Sequence, residues 1–452
     1  MRCGRLGLLP VGCVLLVIAG ILPAAAVAQV RSRKPAPRVL LNLEREYLVP
    51  ASGPESPLKP GLVIELLFLT GKRSEKLELV EVVPGREEGA LQALAVKGPG
   101  PNEQAKSLPA PEASGGVRFR SVSGAPQQLQ AAAVARILVD GREPYEVLFD
   151  AEKKSYVVLD QSRRDQVVAK RLKGTGDRPW KEPTEAEQKT AVEGYKQHLK
   201  EVESKFPRSR FTLHETEYFL FHTDLPASQI GGYVARLDAM YDNLCQLYGV
   251  RAGTNIWRGK CVIVAFLRKE DFANYEQILF GRSEVGNAAG LCHNFHDGRV
   301  IVSCFRGDDP MFFASMLVHE TSHGFCHRYR STINFPSWID EGIADWVAGV
   351  VVPQCRAVPV RQQEALDYMR QSRNMAGMFA ADGPDFQTLH YGMASRLTHM
   401  MLSADPTRYR ALLTAIKEGL PWREALRQVY SSDEEQLAQN FGRSLKIVGL
   451  RP

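Results

Sequence analysis

The segment His319-Glu320-Thr321-Ser322-His323 constrains this chain of 452 residues more tightly than any other stretch. The chain holds ten histidines, and that composition yields roughly 0.02 such patterns by chance. On a helix, imidazoles four positions apart are turned by about 40° and raised by about 6 Å, so both project from one face. Phe312 to Val318, just upstream, contains neither Gly nor Pro, so a helix can run straight into the pattern. The two imidazoles can then bind one ion, with Glu320 facing a water on it. Zinc brings the pKa of such a water near 7, and a neighbouring carboxylate can take its proton.

A zinc site that does chemistry needs three protein ligands and one open position. Eighteen residues after His323, in Trp338-Ile339-Asp340-Glu341-Gly342-Ile343-Ala344-Asp345-Trp346, stands Glu341, the expected third ligand. Pro336 and the helix-compatible run behind it predict a second helix. Asp345, one turn beyond Glu341, is placed to accept a hydrogen bond from a ligand imidazole and so fix its tautomer. His327 fails as a rival ligand, because eight residues along the helix from His319 is about 12 Å.

These two segments resemble the gluzincin metallopeptidases, which include the thermolysin-like and membrane-alanyl-aminopeptidase-like enzymes. They look most like exported bacterial proteins with a peptidase-MA-like domain. The resemblance extends loosely from Thr212 to Val448 and is sharp around the two metal helices. It implies a zincin-like fold in which a mixed α/β subdomain ends in the HExxH helix and a helical subdomain follows. It also implies that His319, His323 and Glu341 hold Zn²⁺, that Glu320 is the general base, and that Asp345 supports a ligand imidazole. In that family a later helix supplies a Tyr or His to stabilise the oxyanion. His390-Tyr391-Gly392-Met393-Ala394-Ser395 is similar to that segment, and Tyr391 is the favoured residue, with a buried structural tyrosine as the alternative. An edge strand that pairs with substrate is implied as well. Asn287-Ala288-Ala289-Gly290-Leu291 fits such a strand or, equally, a tight turn. The Gly-x-Met-Glu-Asn signature of aminopeptidases is missing, which argues against that activity.

The rest of the chain divides by composition. From Gln29 to Pro179 there is no His, Cys, Met or Trp, whereas fourteen of the 27 prolines lie there. Chemistry that needs imidazole or thiol is therefore confined to the C-terminal portion. Short apolar runs such as Leu62 to Leu69, Ala135 to Val139 and Tyr156 to Leu159 predict strands, and residues 99–127, rich in Pro, Gly, Ser and Ala, read as a loose linker. Thr184 with Glu187 three positions on is a capping box that starts a helix. That helix is either a connector or a surface helix of the second domain.

Ahead of all this, Arg2 and Arg5, an apolar run from Leu6 to Leu22 and Ala26-Val27-Ala28 have the order of a secretory signal; an uncleaved anchor is the competing reading. Export suits the six cysteines beyond it, Cys245, Cys261, Cys292, Cys304, Cys326 and Cys355, with Cys292 and Cys304 the most plausible local disulfide. His293 and His296 read as polar loop histidines, with lining of the cleft as the alternative. The net charge of +6 carries no concentrated basic block, which excludes a dedicated nucleic-acid binder.

These readings combine into an α+β chain. They place a signal peptide over 1–28, a β-rich N-terminal domain over 29–180, a connector helix within 181–210 and a zincin-like metallopeptidase domain over 211–452. The expected function is hydrolysis of peptide or protein substrates by an exported zinc enzyme, with no membrane span beyond the N-terminal signal. The alternative is a non-catalytic envelope scaffold that keeps the fold.

Overall fold

In the computed structural model of the chain, the described residues are 38–40, 42–70, 72–98, 126–140, 142–251, 253–286 and 288–452. The expected signal over residues 1–28 lies outside them, as does nearly all of the expected linker over 99–127.

Short alternating runs build the first unit. Its strands are β1 (Leu48–Val49), β2 (Val63–Phe68), β3 (Leu77–Pro84), β4 (Leu91–Lys97), β5 (Gln127–Gln130), β6 (Val134–Val139), β7 (Arg142–Asp150) and β8 (Ser155–Asp160). Along β3, Leu77, Leu79 and Val82 are buried while Glu78 and Glu81 are exposed. The alternation changes phase at a register shift between Leu79 and Glu81, where one extra residue bends the strand. The hydrogen-bonded order β8-β7-β6-β2-β3-β4 returns on itself through the pairing of Leu91 with Tyr156, so six antiparallel strands close into a barrel. Closure removes the unpaired edges that an open sheet would expose. Ile64, Leu66, Leu79, Leu94, Ile137, Val147 and Val158 form the core of this unit. Helix α1 (Gln161–Arg171), capped by Asp160, lays Val168 against Leu148 and Leu159 on the other face of β7 and β8.

Helix α2 (Glu185–Lys205) begins at the Thr184–Glu187 capping box. Its Tyr195, Leu199 and Val202 pack into the core beneath a second sheet, so it is a packed helix of that unit rather than a free-standing connector. The second unit then runs β9 (Thr212–Glu215), β10 (Phe219–Thr223), α3 (Ala227–Tyr248), β11 (Cys261–Phe266), α4 (Lys269–Phe280), β12 (Gly290–Asn294), β13 (Val300–Phe305) and α5 (Pro310–Arg328). The sheet order is β12-β13-β11-β10-β9, with β10, β11 and β13 parallel and the two edge strands antiparallel to their neighbours.

The three parallel strands are buried almost throughout, because helices cover both faces. Phe219, Phe221, Ile263 and Val302 face α3 and α5. Leu220, Val262, Val264 and Ile301 face α2 and α4. Helices α6 (Ser337–Val351), α7 (Ala357–Ser372), α8 (Thr388–Ala404), α9 (Pro406–Lys417), α10 (Trp422–Tyr430) and α11 (Glu434–Ser444) complete the chain. Among the described residues no helix is long and apolar enough to cross a membrane.

The expected Cys292–Cys304 disulfide is not formed, and the six cysteines among the described residues are free thiols. The strand register explains it: Gly290 lies opposite Cys304, and Cys292 lies opposite Val302. The two sulfurs are therefore offset along the hairpin.

Candidate metal centre

Helix α5 starts at Asp309, whose side chain accepts from the amides of Met311 and Phe312, with Pro310 in the first turn. It packs against the sheet through Phe313, Ala314, Leu317 and Val318. His319, Glu320 and His323 remain on a partly covered face. Helix α6 approaches that face at Glu341. On its other side Gly342 lets α6 pack closely on α8, because a Cβ there would lie 2.6 Å from Thr398 Oγ1 and 2.9 Å from the Ala394 carbonyl. A side chain at 342 would push α6 away from α8 and displace Glu341 with it.

One ligand atom each from His319, His323 and Glu341 lie within 4.8 Å of one another. Glu341 Oε2 is 3.1 Å from His319 Nε2 and 3.5 Å from His323 Nε2. That oxygen is buried yet has no well-directed hydrogen bond. The other nitrogen of each ring is held: His319 Nδ1 lies 3.0 Å from Asp345 Oδ1, and His323 Nδ1 lies 2.9 Å from Asp340 Oδ2. An ionised carboxylate only accepts, so each Nδ1 carries a proton and each Nε2 is directed at Glu341, where it can offer a lone pair once its own proton is displaced. Two lone pairs and a carboxylate oxygen converging on one point fit a divalent cation, and the mixed nitrogen and oxygen donors suit zinc.

The local charges point the same way. Burial opposes a charged His319, but Asp345 and Glu341 more than offset it and raise the imidazole to about 9. His323 is raised well above its usual value against the same penalty, by Asp340 and Glu341. Burial also works against the Glu341 carboxylate, yet the two imidazoles hold it well below the usual range. Glu320 goes the other way, pushed up chiefly by burial. The protein's own charges thus call for positive charge between the two rings, from protons or from a metal.

Two partners escaped the sequence reading. Asp340, adjacent to Glu341, supports His323 as Asp345 supports His319. Arg361 on α7 clamps Asp345, with Nε 3.1 Å from Oδ2 and Nη2 2.7 Å from Oδ1. Nothing local marks either residue, since an Asp in the first turn of a helix and an Arg near the start of another are common on surfaces.

Tyr391 lies beside the centre, its ring 6.2 Å from that of His319 and 5.2 Å from Phe386. Burial and the charge of Glu341 push its phenol up to about 12. The neighbouring His390 is occupied structurally, with Nδ1 accepting from the Gln387 amide and Nε2 facing the Ala376 carbonyl. His327 Nε2 faces the Phe295 carbonyl, away from the ligand set.

The stretch offered as an edge strand forms β12 from Gly290 onward, while Asn287 lies outside the described residues. A Cβ at Gly290 would sit 2.3 Å from Met316 Sδ and 3.0 Å from Glu320 Cγ. Glycine therefore lets this strand lie against the helix at the glutamate. His293 is in this strand rather than in a loop, stacked on Phe280 and bonded to the buried Glu276. A scan against protein-family models finds no match to the chain, and a search of curated proteins finds none either.

Proposed function

We propose that the chain is an exported zinc metallopeptidase of zincin-like fold that hydrolyses peptide bonds of peptide or protein substrates. The observation that carries this reading is the convergence of His319 Nε2, His323 Nε2 and Glu341 Oε2, with each imidazole oriented from behind by a carboxylate. Glu320 on the same helix face supplies a base, which a purely structural zinc site would not need. When bound, zinc supplies Lewis acidity that acidifies a water and polarises a peptide carbonyl.

The chain's own residues do the rest. His319, His323 and Glu341 hold the ion. Glu320 takes the proton of the attacking water on its carboxylate and returns it to the departing amide nitrogen. Tyr391 donates its phenolic hydrogen to the developing oxyanion. The outer edge of β12, which no strand pairs among the described residues, holds the substrate backbone in an extended form beside Glu320.

The test is Glu320→Gln. The variant should bind zinc as wild type does while hydrolysis of a mixed peptide library falls by about 10²–10⁴-fold. Full hydrolysis in the variant would sink the mechanism. A wild-type protein that holds zinc and cleaves nothing would favour the scaffold reading instead.

A further inference from the structure

The edge strand leads away from the metal centre toward a concentration of positive charge. Gly290 lies at Glu320, a Cβ on Gly324 would lie 3.6 Å from Cys292 Sγ, and the Phe295 carbonyl faces His327. Strand and helix therefore run side by side, and the turn at Phe295 is about 17 Å from Gly290 at roughly 3.3 Å per residue.

Four guanidinium groups meet at that turn. Arg258 and Arg299 both pair with Asp297 Oδ2, at 3.1 Å and 2.8 Å. Arg178 donates to the His296 carbonyl. Arg328 is buried against the same turn, with Nε donating to the Ile256 carbonyl and its guanidinium 4.4 Å above the ring of Trp180.

Among the described residues the ion pairs these four make are all to Asp297, whose Oδ1 is already taken by the Arg299 amide. Glu187 adds a second carboxylate within electrostatic reach of Arg258, and two carboxylates do not neutralise four arginines. Arg258 and Arg299 keep 44% and 45% of their side chains exposed, so much of their donor capacity still faces solvent. Arg328 has only a backbone carbonyl and an aromatic face, and burial lowers it to about 10. Such a cluster costs the fold repulsion, and an anionic ligand would relieve it.

We propose that this arginine cluster is a recognition subsite for acidic side chains of a polypeptide substrate, lying four to five extended residues from the bond to be cut, roughly the 17 Å given by the strand rise. The inference rests on the peptidase reading for the position of that bond, and on geometry and charge for the acidic preference. The substrate class it names is extended segments with a block of Asp and Glu near the cleavage site, bound along β12 with the block over Trp180 and the turn.

The experiment measures binding without turnover. Full-length Glu320→Gln protein is titrated into two labelled extended peptides that differ only in an Asp-Glu-Asp or an Asn-Gln-Asn block, placed in turn at either end. The acidic form should bind about tenfold more tightly at low salt, as expected for several exposed charge contacts, and the gap should narrow as salt rises. Arg258→Gln with Arg299→Gln should remove most of the gap, and the double Lys replacement should keep most of it, whereas a merely structural role would weaken both peptides alike. Equal binding of the two peptides, or a gap indifferent to the glutamine pair, overturns the proposal. If wild type cleaves neither peptide while the gap persists, the peptidase reading falls and acidic recognition stands. If cleavage proceeds without a gap, only the recognition falls.

Discussion

The chain buries two groups of carboxylates, and they are compensated in opposite ways. Where the barrel unit meets the end of α5, Glu44 and Glu418 are fully buried. Glu418 accepts from Tyr47 Oη at 2.8 Å, from Arg164 Nε at 3.0 Å and from Arg330. Glu44 accepts from Arg38 at 2.9 Å, with Arg330 at 3.4 Å, and Arg38 also pairs with Glu146. Every charge there is answered by a fixed protein cation. At the candidate metal centre Glu320, Asp340, Glu341 and Asp345 gather around two imidazoles, and among the described residues the one guanidinium in ion-pair contact, Arg361, is taken by Asp345. The junction is closed electrostatically, whereas the centre leaves a converging set of lone pairs for an external cation. Burial and charge alone therefore do not mark a functional site; what marks it is the direction of the unpartnered atoms.

The largest effect that distinguishes the two groups should come from Arg330→Met. It removes one cation from two buried carboxylates and should destabilise the protein by about 3–5 kcal/mol in urea denaturation. A loss under about 1 kcal/mol would mean the junction behaves as an exposed pairing. Arg330 lies two residues beyond the end of α5 in the left-handed backbone region, with φ +60°, so the same node fixes the exit of the helix that carries His319 and His323.

How much of this was legible in the sequence follows from the range of the interactions. The HExxH turn, Glu341 and Asp345 recur at helical spacing, and the Thr184 cap is a four-residue signal, so local geometry reveals them. Barrel closure depends on Leu91 meeting Tyr156 across 65 positions, and no local pattern encodes that register. Arg361 and the Glu44–Arg330–Glu418 node are invisible for the same reason, because their partners come from other elements. The Cys292–Cys304 expectation failed because proximity in a hairpin does not set which residues face each other.

A second contrast concerns pH. His319 is raised from 6.5 to about 9 against burial, by Asp345 and Glu341. In the metal-free protein the stability gained from this protonation is fully present below the ordinary imidazole pKa and is lost as pH rises through about 9. Zinc competes with that proton and with the one on His323, which is raised too, so its affinity should climb with pH by up to about tenfold per unit for each proton displaced and level off once both rings are neutral. Competition titration against a chelator of known pH dependence measures the slope. A flat profile would mean that the imidazoles are already neutral and would weaken the account of why the centre needs a cation.

The smallest of these effects tests whether the carboxylates behind the imidazoles act on the metal or only on the fold. Asp340 is 31% exposed and touches His323 from the side away from Glu341. An amide in its place still fills the space but withdraws the negative charge that makes the imidazole a stronger donor. Asp340→Asn should therefore weaken zinc binding by about 10–100-fold. Its effect on denaturation in the presence of a chelator should stay within about 1 kcal/mol, as for a part-exposed pair. A junction carboxylate should show the reverse: Glu418→Gln strips a buried partner from Arg164 and Arg330 and should cost stability while leaving zinc affinity largely intact. If Asp340→Asn instead lowers stability and spares zinc, then Asp340 belongs with the junction carboxylates as a structural charge, and the orientation of His323 must be maintained by the packing of α5 alone.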